Sequence, residues 1–240
     1  LKRIYNILRF GVGPGARERK RRRKEEERHK RFDSELWEKD DGLARRQYDS
    51  YDDYVEHQAS KLDKIIHRLK ETEEEDFVEF RRRFEGCESL ASARNVLCLG
   101  ARLGTEVRAL HSLGYFAIGI DLNPGENNPY VLPGDFHRIV FPDGSVDAIY
   151  CNALDHVYDL DRVMGEVRRL LRADGLFVAD LLEGFEEGFV PGAYEATHWK
   201  DTSSFVERLR VAGNLELEGV RDLGYTRRDH WLQAVFRKTG

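Results

Sequence analysis

Residues able to do chemistry gather between Asn95 and Asp121, in NVLCLGARLGTEVRALHSLGYFAIGID. Gly100 and Gly104 bracket a turn between an apolar run at 96–99 and a helix start at Thr105. Glycine lets backbone approach a ligand, and the first N–H groups of a helix are free to bind it. A second apolar run at 116–120 ends on Asp121, whose carboxylate can accept both hydroxyls of a ribose. Strand, glycine turn, helix and strand-end acid in that order are how an open α/β sheet holds a nucleoside-containing cofactor. These residues do not say which one.

The rest of the chain must position that turn. Downstream, strands and helices alternate. Residues 146–151 read as a buried strand. Residues 160–171 read as a helix with Leu160, Val163, Met164, Val167, Leu170 and Leu171 on one stripe. Asp174-Gly175 is a turn before a strand at 176–181, and Asp201 or Thr202 can cap a helix over 202–211. The last two strands, 215–222 and 231–237, are joined too closely for a crossover helix and must pair antiparallel. The expectation is an α/β fold: a Rossmann-like, doubly wound sheet, mostly parallel, with a C-terminal antiparallel hairpin and an N-terminal helical appendage. In the appendage, Tyr51, Tyr54, Val55, Ala59, Leu62, Ile65, Ile66 and Leu69 recur at helical spacing over 48–69, and Phe77, Phe80 and Phe84 mark a shorter helix over 76–84. Residues 17–39 are helix-forming with almost no apolar face, and GVGPG at 11–15 should break any helix. The chain divides into a basic segment (1–32), a helical cap or lid (33–90) and a catalytic body (91–240).

Charge is unevenly spread. Residues 1–31 hold 13 Lys/Arg against 4 Glu, a net +9, whereas the remainder holds 26 Lys/Arg against 40 Asp/Glu, a net −14. The block RERKRRRK offers a foot for an anionic membrane surface or a nucleic acid. Its neighbouring Glu25–Glu27, the lack of interleaved aromatics and the acidic body favour a solvated helix with Arg/Glu pairs. No apolar run is long enough to span a bilayer, and LKRIYNILRF is too broken by charge to read as a signal peptide. Cys87, Cys98 and Cys151 form neither a metal pattern nor a disulfide framework, which fits a reducing cytoplasm.

Residues 95–181 resemble the class I S-adenosylmethionine-dependent methyltransferases, in the methyltransferase type 11-like group that modifies small molecules. LCLGARLGTE stands at the first motif of that family, Gly-Ile-Asp-Leu (119–122) at the end of its second strand, and residues 134–180 at its later motifs. The resemblance implies S-adenosyl-L-methionine as cofactor, held by Gly100, Ala101, Arg102, Gly104, Asp121, Leu122, Asp135, Phe136 and Asn152; no metal is expected, because nothing fixes a ligand geometry for Asp155, Asp159 and Asp161. Asp121 would take the ribose, and Asp135 with Phe136 the adenine. Two positions depart from the pattern: Cys98 stands for the usual strand acid and Arg102 for the middle glycine. A guanidinium there could fork onto the cofactor's carboxylate. Glu106, in the first helical turn, is a further candidate contact. A nicotinamide cofactor is disfavoured, because the turn reads G-A-R-L-G rather than G-x-G-x-x-G.

Methyl transfer from a sulfonium needs proximity and orientation, and a general base only for a protonated nucleophile. His156, past the end of the 146–151 strand, is the catalytic candidate, with packing beside the cofactor as its bland role. His198 is a second. The acceptor is read as a small molecule or a glycan- or lipid-linked group, chosen by the 48–69 helix and the aromatic-rich loop 183–200. Two other readings remain: a non-catalytic cofactor- or partner-binding domain of the same fold, and a nucleic-acid methyltransferase. The second lacks the Asn/Asp-Pro-Pro-Tyr/Phe motif of base methylation, having Cys-Asn-Ala-Leu after the strand.

Overall fold

A seven-stranded sheet carries the fold, its strands in the order Val131–Pro133, Phe116–Asp121, Asn95–Leu99, Val146–Cys151, Leu171–Leu182, Asp229–Arg237 and Glu216–Thr226. The computed structural model describes residues 14–34 and 36–239. The break expected at 11–15 falls mainly outside these, and helix α1 (Pro14–Phe32) starts on Pro14. Strands β3 (Asn95–Leu99), β4 (Phe116–Asp121), β5 (Val131–Pro133), β6 (Val146–Cys151) and β7 (Leu171–Leu182) run parallel. β10 (Asp229–Arg237) pairs antiparallel with both β7 and β9 (Glu216–Thr226). The short 226–229 connection has no room for a crossover, so these two strands pair antiparallel.

β3 is central and buried on both faces, so it reads as an unbroken apolar run. Its side chains still alternate. Leu97 and Leu99 join one cluster with α5 (Leu160–Leu170) and α6 (Thr202–Gly213); Val96 and Cys98 join another with Val107 and Leu110 of α4 (Thr105–Ser112). Asp201 is the cap of α6, accepting from Ser204 N at 2.8 Å.

Before the sheet, the structure departs from the sequence reading in two places. The apolar periodicity over 48–69 and 76–84 belongs to two helices meeting at Ser60: α2 (Tyr51–Ala59) and α3 (Lys61–Glu85). Ser60 keeps helical angles, and its hydroxyl bonds back to His57 O at 2.8 Å, which bends a helix without ending it. No glycine or proline follows until Gly86, so α3 runs through the expected second helix. The helix-forming stretch read to residue 39 ends at Phe32 instead. Trp37 then starts a hairpin, β1 (Trp37–Asp40) and β2 (Leu43–Arg46), around Asp41-Gly42 with φ of 49° and 75°. Two positive-φ residues are what a two-residue hairpin turn requires. β2 pairs with β8 (Thr197–Trp199), and Trp37 packs edge-on against Phe32 with centroids 5.3 Å apart. This buries the aromatic end of an otherwise polar α1.

The C-terminal half of α3 is tied to the sheet through Arg83, which is 3 % exposed. Its guanidinium bonds Asp180 at 3.0 Å, Glu79 at 2.8 Å and Thr226 Oγ1 at 2.9 Å. Asp180 also accepts from Tyr150 OH (2.7 Å) and Gln233 Nε2 (2.8 Å), while Phe84 packs on the Tyr150 ring. Among the described residues, no helix is long and apolar enough to cross a membrane.

Candidate functional site

The carboxyl ends of β3, β4 and β6 meet where the chain leaves β3 toward β4 and later returns on the other side as β6. Such a switch point opens a crevice in a doubly wound sheet. Gly100 and Ala101 donate their N–H groups to Ile120 O at 2.9 and 3.1 Å, pinning the turn to β4. Gly100 has φ of 69°, and a Cβ there would come within 2.7 Å of the Cβ of Ala153. Only glycine fits between the β3 and β6 turns.

Gly100, Arg102, Asp121, Leu122 and Phe136 line a narrow slot of about 30 Å³, roofed by Tyr54, Gln58 and Leu62. Asp121 accepts from Arg102 N (3.0 Å) and Asn123 N (2.8 Å), one bond on each oxygen. Each oxygen therefore keeps a lone pair for a ligand. Burial pushes this carboxyl above its usual range, against those N–H groups and the nearby Arg102. The slot opens into a chamber of about 560 Å³ at Gly100, Arg102, Ala153 and His156, which line both. Ala101 and Asn152 line the chamber.

Two of the sequence-predicted residues lie elsewhere. Gly104 has φ of 80°, and a Cβ there would meet Tyr130 Cβ at 2.7 Å, so it serves a packing contact and lines neither cavity. The Asp135 carboxylate accepts from Tyr51 OH at 2.5 Å and from His137 N at 2.8 Å. Burial would raise it, but the hydrogen bonds from His137 and Tyr51 win and hold it below its usual range. Asp135 thus holds down α2, while its neighbour Phe136 faces the slot.

The roof is latched by polar contacts. Tyr54 OH donates to His156 O at 3.0 Å, Gln58 Nε2 to Tyr194 O at 2.7 Å, and Asn123 Nδ2 to Ala59 O at 2.8 Å. Lys61, at the start of α3, reaches His156 Nε2 at 2.5 Å, while His156 Nδ1 meets Tyr194 O at 2.9 Å. A carbonyl can only accept, so Nδ1 carries the proton and Nε2 is the acceptor. Burial, then Lys61, pushes His156 well below its ordinary value. Its one basic lone pair is therefore committed to Lys61. His198 packs against Trp199 with centroids 4.7 Å apart and lines neither cavity.

The chamber draws on the two stretches expected to choose the acceptor, 48–69 and 183–200, and on residues of other elements that carry no such signal. Lys61, Arg68 and Phe80 come from α3, Arg28 from α1, Trp231 from β10, and Phe189, Tyr194 and Glu195 from the loop after β7. Asp155, beside His156, is buried in its wall. Burial, then Glu195, raises its carboxyl, and burial, then Arg102, lowers the Lys61 ammonium. Asp155 could have been noticed from its place after β6. Lys61 and Glu195 carry no local signal.

A family model described as a methyltransferase domain matches residues 97–179. A curated sterol 24-C-methyltransferase of Gibberella zeae is 31 % identical over 110 residues, covering 43 % of this chain and 24 % of that protein; the chain thus spans about a quarter of that relative's length. Among solved structures, a Burkholderia thailandensis 1,6-didemethyltoxoflavin-N1-methyltransferase with bound 1,6-didemethyltoxoflavin and S-adenosylhomocysteine superposes with a TM-score of 0.64 at 17 % identity, covering 85 % of this chain and 99 % of that one. A Thermotoga maritima S-adenosylmethionine-dependent methyltransferase, described as a possible histamine N-methyltransferase, gives 0.57 at 15 % identity, covering 77 % and 100 %. At such identities the structures speak for the fold, and the family match speaks for the motifs carried on it. Residues 97–179 thus match a methyltransferase domain and lie on a fold shared with S-adenosylmethionine-dependent methyltransferases.

Proposed function

We propose that the chain transfers a methyl group from S-adenosyl-L-methionine to a small-molecule acceptor held in the 560 Å³ chamber. One observation carries this reading: a slot ending on Asp121 and Phe136 opens, at Gly100 and His156, into a much larger chamber walled by aromatic and charged side chains. Asp121 would take the ribose hydroxyls with its open lone pairs, Phe136 and Leu122 would flank the adenine, and the Gly100–Ala101 backbone would pass the sulfur. The cofactor would supply a methyl group already activated on a sulfonium.

The protein's own work is then geometry and proton handling. Trp231, Phe189 and Phe80 present faces on which an acceptor can lie. Asp155, its carboxyl raised by burial and Glu195, is better placed than His156 to receive a proton from a nitrogen or oxygen nucleophile, because the one basic lone pair of His156 is hydrogen-bonded to Lys61. Tyr54 and Gln58 close the slot from above and keep water out. The slot, as latched, has room for about one or two waters. A nucleoside enters only when α2 swings away, so the Tyr54, Gln58 and Asn123 contacts must open in each cycle. The sterol and toxoflavin-precursor enzymes above act on small molecules, which supports that acceptor class.

Calorimetric titration with S-adenosylhomocysteine tests the reading. Binding that Asp121→Ala weakens by about 1–3 kcal/mol supports it, that being the worth of hydrogen bonds to a charged group. Absence of binding to the wild-type chain would overturn it.

A further inference from the structure

Two charged side chains flank the glycine turn without using each other. Glu106, in the first turn of α4, is 5 % exposed and faces the chamber. Its carboxylate makes no ion pair and no hydrogen bond to another side chain among the described residues. Arg102, four positions earlier, sits where slot and chamber join. Its N–H is spent on Asp121, but its guanidinium takes no hydrogen bond among the described residues. Arg102 also adopts φ of 44°, a left-handed conformation that disfavours any side chain. A buried carboxylate bonded only by its own backbone N–H and by no cation costs stability, and so does a strained arginine. Both costs fall at one point of the site, and a ligand bearing both signs of charge would offset both.

We infer that Glu106 and Arg102 clamp the amino-acid end of the cofactor, Glu106 taking its ammonium and Arg102 its carboxylate. This rests on the methyltransferase reading above. The division of roles follows from charge and from shape, since a planar guanidinium fork matches a carboxylate. Other groups at this end of the chamber do not compete. Asp76 is held by Arg227 at 2.6 Å and by Thr72 at 2.7 Å. β3 and β6 face Glu106 with the buried thiols of Cys98 and Cys151 and with Tyr150, whose hydroxyl is given to Asp180 at 2.7 Å. The electrostatics agree. Glu106 is faced by Arg102 from the turn, Asp121 from β4, Asp76 from α3, and Cys98, Cys151 and Tyr150 from β3 and β6. Burial outweighs Arg102 and lifts its carboxyl to about 8. An incoming ammonium would restore the charged form.

The test compares two probes on one protein. S-adenosylhomocysteine carries the amino-acid end; 5′-methylthioadenosine lacks it. Calorimetry should show Glu106→Gln and Arg102→Lys each losing at least tenfold in affinity for the first probe and keeping wild-type affinity for the second, with Glu106→Asp recovering part of the loss. Retained binding of methylthioadenosine also shows that the variants are folded. Wild-type affinity of Glu106→Gln for S-adenosylhomocysteine, or an equal loss for both probes, would overturn the clamp. If the wild-type chain binds neither probe, the cofactor reading itself falls.

Discussion

Replacing Arg83 with methionine should cost the fold about 3 kcal/mol, the low end of what breaking one partner of a buried ion pair costs. The side chains of Arg83 and Asp180 are 4 % and 0 % exposed, so solvent screening gives little relief. Methionine keeps much of the arginine stem's volume but leaves the Asp180 carboxylate without its cation. Tyr150 and Gln233 still donate to it at 2.7 and 2.8 Å, which places the cost at the low end. For a chain of this size the loss corresponds to a fall in Tm of roughly 6–12 °C. Differential scanning calorimetry with urea titration reads both quantities. Adding Asp180→Asn removes the stranded charge, so the double variant should be less damaged than the two single losses added together. A loss below about 1 kcal/mol for Arg83→Met would refute the argument that this pair fastens α3 to the sheet.

That fastening bears on how the site opens. Hydrogen exchange should slow across α2 and the first turns of α3 when S-adenosylhomocysteine is added, and stay unchanged over 76–85, where Arg83 holds; equal changes in both halves would mean α3 moves as one rod. Acid should loosen the same anchor. Burial favours the protonated form of Glu79, but hydrogen bonds from Arg82 and Arg83 prevail and hold it at about 2 against an ordinary 4.5. Its contribution is therefore complete above pH 4.5 and is lost as pH falls toward 2, and Glu79→Gln should flatten that part of the stability curve; a curve of unchanged shape would contradict this. His156, held neutral by burial and Lys61, should contribute no limb to the pH dependence of methyl transfer between pH 6 and 8. A limb near 6.5 that disappears in His156→Gln would show that Lys61 releases it during turnover.

The sheet was legible because its strands announce themselves. β3 and β6 are apolar on both faces, and their boundaries follow from where those runs stop. The hairpin of β1 and β2 was not, although Asp41-Gly42 is a turn signal. Its strands read WEKD and LARR, too charged to suggest burial, and what covers Trp37 is the Phe32 ring edge-on and the Arg46 guanidinium 4.8 Å from its centroid. The break at Ser60 was hidden for the opposite reason: the periodicity runs straight through it, and only a hydroxyl turned back on His57 O bends the helix.

Within the site, identical letters do different work. Gly100 and Gly104 both have positive φ, yet Gly100 lies against Ala153 in the slot and Gly104 lies under Tyr130. Asp121 and Asp135 both follow strands, yet Asp121 keeps lone pairs toward the slot while Tyr51 and His137 occupy Asp135. Residue type and spacing specify that a turn needs glycine or that a strand ends on an acid. Which way each faces depends on what packs behind it. The chamber is the extreme case, since Arg28, Lys61, Asp155, Glu195 and Trp231 come from five separate segments and meet only in the folded chain. The Gly100, Arg102 and Asp121 side of the proposed nucleoside slot comes from one contiguous strand–turn–helix–strand unit, which leaves a pattern that a sequence can carry. The proposed acceptor chamber is assembled from distant elements, so a sequence can mark its aromatic loop but not how Asp155 and Glu195 meet there, and the acceptor must be sought through that chemistry.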